Sequence, residues 1–126
     1  MKSIITTLVI FSSLLGFVYF ANNKLIELCD TITENSIAIE ELVKEGNWSE
    51  AKTNTQEIIN LIEEKTAISS VYINHSDFDD LTDEAIELSI YIDCKDSKES
   101  LIAVNSLKNF AKNIKHLHQT HIENIF

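Results

Sequence analysis

The spacing of apolar positions along this chain changes at one point. From Ile4 to Ala21 the sequence IITTLVIFSSLLGFVYFA carries no charged residue. A helix of that length spans about 27 Å at 1.5 Å per residue, enough for the hydrocarbon core of a bilayer. From Asn22 onward the apolar residues recur at helical intervals. Leu25, Leu28, Ile32, Ile39 and Leu42 fall on one face. Nothing between the two stretches breaks a helix, so the first is expected to run on into the second.

The same period predicts three more helices. Gly46 suits a helix C-cap, and Asn47 with Glu50 reads as a capping box for the second helix. Its face is Trp48, Ala51, Thr55, Ile58, Ile62 and Tyr72. It is expected to reach about Asn74, although the β-branched residues of SSVYIN also allow a local extended stretch. The third helix is expected near Ser76, with Asp79 as its capping partner and Phe78, Leu81, Ala85, Leu88 and Ile92 as its face. DCKDSKE turns the chain, with Asp96 and Glu99 as a third capping pair. The last helix presents Leu101, Val104, Leu107, Ala111, Ile114, His121 and Ile125. Short connections make successive helices antiparallel neighbours. The expected fold is all-α: an N-terminal transmembrane helix continuing into an antiparallel up-down four-helix bundle. The anchor is assigned to residues 1–21 and the bundle domain to residues 22–126. GNWSEA is similar to the turn of a tetratricopeptide unit, but no period of about 34 residues recurs.

An uncleaved signal anchor has two rivals. A cleavable signal peptide has a shorter apolar region and small residues flanking the cut, and cleavage after Ala21 would put Tyr19 at the third position before it. A buried soluble helix is disfavoured because so short a chain has little else to cover a helix apolar all round. Lys2 and the terminal amine ahead of the segment favour the N-terminus inside and the bundle outside. An acidic domain is also repelled by anionic lipid on the cytoplasmic face.

Composition narrows the function. The chain has 126 residues, no proline and two glycines, which suits one domain of long helices. Its net charge is −10 and its ten cationic side chains are all lysine. Nucleic acid is excluded as a partner, since phosphate neutralisation supplies much of that affinity. Charge is also uneven. Asp77, Asp79, Asp80, Asp83, Glu84 and Glu87 crowd the third helix, whereas Lys98, Lys108, Lys112 and Lys115 lie on the fourth. Complementary signs on these neighbours are expected to help set their register.

The most crowded chemistry is YINHSDFDD, Tyr72 to Asp80. An EF-hand loop needs an oxygen ligand at its fifth position, glycine at the sixth and glutamate at the twelfth. Counted from Asp77, those positions hold Leu81, Thr82 and Leu88. Zinc needs converging His or Cys ligands, and only aspartates lie within four residues of His75. The stretch reads as a structural corner: its aspartates suit a helix N-terminus, and His75 suits the end of the helix before it. In HLHQTH, His116 and His118 point about 160° apart on a helix. Only His118 and His121 share a side. Antiparallel packing brings them back toward His75, so His75, His118 and His121 are the candidate metal ligands, weaker than the corner reading. No GxSxG, P-loop or HExxH pattern occurs. NWS and NHS match the glycosylation sequon at predicted helix ends. No catalytic residue and no cofactor is assigned. The residues expected to matter for structure or interaction are Trp48, His75, Asp77 and Phe78, with Trp48 packing where the first two helices meet.

Two cysteines in an extracytoplasmic domain permit a disulfide. The expected helix directions argue against one. Cys29 lies about 10 Å up the bundle and Cys94 about 25 Å up, by the helical rise. Bridged Cα atoms need to approach within about 7 Å. Cys29 is therefore expected as a small core residue and Cys94 as an exposed thiol.

Trp48, Ala51, YINHSD, IYID and the closing ENIF give the chain a family resemblance. It resembles the small membrane-anchored bacterial proteins known as domain of unknown function 4363, over most of its length. No catalytic or binding residue is established in that family, so none is carried over. The family's association with spore-forming Gram-positive bacteria, and in some cases with genes for a small multi-pass membrane protein, implies a membrane partner. The expected function is that of a non-enzymatic, single-pass membrane protein whose bundle binds another protein or scaffolds an envelope complex. The alternatives are a ligand-sensing extracytoplasmic bundle with a separate transducer, and a histidine-based metal protein.

Overall fold

The computed structural model describes residues 1–69 and 75–125, with side chains for all of these except 21, 22, 66–69, 75–77 and 118–125. Four helices follow one another: α1 (Lys2–Glu45), α2 (Trp48–Ser69), α3 (His75–Asp93) and α4 (Ser97–Ile125). Among the described residues there is no strand. Each helix packs on its sequence neighbours, and α4 closes the ring against α1, the most extensive of the interfaces. This is the expected up-down bundle.

α1 holds 44 residues without interruption, about 66 Å of helix. Its two halves have different surroundings. Ile4, Leu8, Phe11, Leu14, Phe17 and Phe20 are all more than half exposed. Leu25, Leu28, Cys29, Ile32, Ile39 and Val43 are buried among the other helices. The polar side chains of the apolar half satisfy themselves locally. Thr6 Oγ1 donates to the Lys2 carbonyl at 2.8 Å, and Thr7 Oγ1 to that of Ser3 at 2.7 Å.

The core comes from the expected stripes. Ala51, Thr55, Ile58 and Ile62 of α2 are buried, as are Phe78, Leu81, Ala85, Leu88 and Ile92 of α3 and Val104, Leu107, Ala111 and Ile114 of α4. Leu42 and Leu101 lie at the margin rather than inside. The expectations for Tyr72 and for an extended SSVYIN lie outside the described residues, as do those for the side chains of Ser76, His121 and Ile125.

The two helix corners at the far end are built alike. At the first, Gly46 adopts φ 76°. Its N–H donates to the Val43 carbonyl, and that of Asn47 to Leu42, which is a Schellman motif. Asn47 Oδ1 then accepts from the Glu50 N–H at 3.4 Å and starts α2. At the second corner Lys95 takes the left-handed position at φ 55°, its N–H donating to Ile92 and that of Asp96 to Tyr91. Asp96 Oδ1 accepts from the Glu99 N–H at 3.1 Å. Both expected capping boxes are therefore half made. The cap residue's own N–H closes the preceding helix instead of meeting the glutamate side chain.

The expected pairing of α3 acids with α4 lysines is corrected by the structure. Lys108 pairs with Glu40 at 3.7 Å and Lys115 with Asp30 at 2.6 Å, both on α1. Asp93 of α3 pairs with Lys52 of α2 at 2.6 Å. Lys108 and Lys115 are seven residues apart, so they share one flank of α4. That flank faces α1.

Candidate interaction surfaces

The corner between α1 and α2 positions Trp48. The Schellman turn ends α1, Asn47 caps α2, and Trp48 is the first residue of α2, half-buried against the core. That is where the sequence placed it. Phe78 is buried in the first turns of α3, a packing residue with no access to solvent. His75 opens α3, but its side chain and those of Asp77, His118 and His121 lie outside the described residues. The proposed meeting of histidines is therefore not described. His116 is exposed on α4. Among the described residues, no group of three or more His, Cys, Asp or Glu side chains is placed to hold a metal ion.

The acidic face of α3 is an electrostatic feature. Partial burial holds Glu84 above its ordinary 4.5, and the carboxylates of Glu87, Asp80 and Asp83 push it the same way. One helical turn on, the Tyr91 hydroxyl donates to Glu87 Oε1 at 3.2 Å. That hydrogen bond, and then the carboxylate charge, raise the tyrosine above 10. These carboxylates repel one another.

Two shallow grooves stand out among the described residues. One runs along the outer face of α2 and is polar, lined by Ser49, Lys52, Thr53, Gln56, Glu57 and Asn60. The other lies on the apolar half of α1, lined by Ile5, Leu8, Val9, Ser12 and Ser13. At the boundary between the halves, Lys24 Nζ sits 5.4 Å from the centre of the Phe20 ring and 3.5 Å from Glu27.

Cys29 and Cys94 form no disulfide, Cys29 lying buried and Cys94 exposed, as the helix directions required. Sequence reasoning missed two buried hydroxyls. Ser36 Oγ donates to the Ile32 carbonyl at 2.6 Å. Ser100 Oγ is buried without a hydrogen-bond partner among the described residues. Both occupy the helical period of their stripes, between Ile32 and Ile39 and ahead of Val104, and that spacing was the signal available.

The fold and surfaces define a helical bundle whose first helix extends beyond the bundle as an exposed apolar rod. That helix is long and apolar enough to cross a membrane. Residues 19–125 match the family described as a domain of unknown function (DUF4363), and the chain belongs to that family. No curated protein and no solved structure matches the chain.

Proposed function

We propose that the chain is a non-enzymatic, single-pass membrane protein whose bundle, outside the cytoplasm, binds a protein partner in a bacterial envelope complex. The observation that carries this reading is the division of α1. Its first half exposes apolar side chains on every side, and among the described residues none of its membrane-length apolar window is buried. In water that surface is costly, at about 25 cal/mol per Å². In lipid it is at home. The second half of the same rigid helix is a structural member of the bundle, so anchoring and presentation are one element.

The partner is proposed to be a protein, in keeping with the family resemblance to proteins sometimes associated with genes for a small multi-pass membrane protein. The polar outer face of α2 and the half-buried Trp48 are the surfaces offered to it. Crosslinking of the full-length chain in native membranes, followed by pull-down, tests this part. Recovery of one membrane protein supports it, and recovery of the chain alone counts against it. The anchor is tested separately. Deleting residues 1–21 should release a soluble helical protein, whereas isolation of the natural chain as a soluble form lacking Met1–Ala21 would overturn the anchor.

A further inference from the structure

The register of α4 against α1 fixes where the bundle ends. Lys115 of α4 reaches Asp30 of α1 at 2.6 Å. Beyond Lys115, α4 continues for ten residues to Ile125. At 1.5 Å per residue that is about 15 Å. The same distance back along α1 from Asp30 arrives at Phe20, inside the exposed apolar half. By that rise the backbone of α4 reaches the level of Phe20 and Lys24, an aromatic ring and a lysine of the kind that flank a membrane helix at its interface. α2 has 22 residues against the 29 of α4 and stops earlier. In the same stretch of α4, Leu117 is 64% exposed, with no bundle element over it.

We propose that this end of the bundle, centred on the last turns of α4, is a second lipid contact seated in the headgroup layer of the bilayer that α1 crosses. The inference rests on the anchor reading above. Its chemistry is that of a zwitterionic interface. Leu117 is apolar and exposed, the sequence beyond it adds Ile122 and Ile125, and the exposed Asp79 and Asp80 in the first turns of α3 oppose anionic headgroups. A bundle seated in this way stands upright on the membrane and presents its far corners, with Trp48 and Cys94, at a fixed height.

Tryptophan quenching by brominated acyl chains tests this on the full-length chain in phosphatidylcholine vesicles. Trp48 is the chain's one tryptophan. It lies about 40 Å along α1 from Phe20 and should be unquenched. Two variants in a Trp48→Phe background, Phe20→Trp and Ile125→Trp, report the anchor and the end of α4. Both are expected to be quenched, the second at least half as strongly as the first. If Phe20→Trp is quenched and Ile125→Trp is not, the seating is wrong and the anchor stands. If neither is quenched, the anchor fails and the proposal fails with it. Quenching at position 125 alone removes α1 as the span and also overturns the proposal. Should Trp48→Phe disturb the fold, a bimane attached in turn to Phe20→Cys and to Ile125→Cys, each in a Cys94→Ser background with Trp48 kept, is read against the same lipids with the same outcomes.

Discussion

The two halves of α1 share one backbone and differ in everything that surrounds it. In the lower half Leu8 is 59% exposed, and in the upper half Ile39 is fully buried. Both are large aliphatic residues in the middle of a helix. Ile39 has neighbours because apolar residues on α1 recur on one face, and a face is what three other helices can cover. Leu8 belongs to a segment with no polar face, which no set of amphipathic partners can close around. The comparison teaches that periodicity, not hydrophobicity, assigns a helix to a protein core. The proposed anchor follows from its absence.

The largest expected effect comes from exchanging the roles of the halves. Ile39→Ala should destabilise the bundle by about 2–5 kcal/mol, through lost burial and a cavity. Leu8→Ala should leave the denaturation midpoint in detergent unchanged, and Leu8→Lys should weaken membrane retention by roughly 3 kcal/mol of insertion free energy. Chemical denaturation and alkaline extraction of membranes read the two properties separately. If Leu8→Ala shifts the midpoint as far as Ile39→Ala does, the halves are not independent.

Glycine gives the next contrast, because α1 has one in its apolar half and one at its far end. Gly16 is helical and Gly46 sits at φ 76°, and neither would meet another atom within 4 Å if given a Cβ. Space therefore does not separate them, but backbone conformation does. Gly46→Ala should cost about 1–2 kcal/mol for a left-handed alanine. Gly16→Ala should cost nothing and favour the helix by up to about 1 kcal/mol. Equal melting temperatures for the two variants would show that the corner relaxes. The second corner already pays this conformational penalty at Lys95, so Lys95→Gly should stabilise where Gly46→Ala destabilises.

Much of this was legible in the sequence. Gly46, Asn47 and Asp96 announced the corners because capping requires particular backbone and side-chain chemistry. The stripes from Leu25 to Ile39, and from Phe78 to Ile92, announced the core. The partner of Lys108 and Lys115 was not legible. Helical period ranks residues by their angle from the buried stripe, but it does not say which neighbour lies on which flank. That depends on the hand of the bundle, which no single helix encodes. Charge suggested α3, and the structure places α1 there. Of the residues expected to matter, Trp48 and Phe78 have packing positions that their helical period announced. For His75, Asp77, His118 and His121 the sequence offered proximity by topology and no stripe to fix their orientation.

The ion pair that anchors α4 to the upper half of α1 should have a smaller effect than either contrast above. Asp30 and Lys115 are 50% and 33% exposed. Asp30→Asn should therefore cost less than about 1 kcal/mol. The cost should be greatest at low ionic strength and should fade near 1 M salt, where the Debye length is about 3 Å. A cost that does not change with salt would mean that the pair acts through packing of the lysine stem instead.

The smallest effect separates the acids of α1 from those of α3. Asp30 and Glu40 face lysines of α4. The groups that shift Glu84 after its own burial are all carboxylates. Its folded-state value is raised above 4.5, so the folded chain holds the proton more tightly than the unfolded chain does. Stability therefore falls as pH rises from the unfolded value through the raised one, and the penalty is complete above it. Glu84→Gln keeps the size and removes the charge. Measured by denaturant unfolding, the advantage of that variant over the parent should be absent near pH 4 and present by pH 7. An advantage of the same size at both ends would place its origin in side-chain packing and not in the crowding of carboxylates along α3.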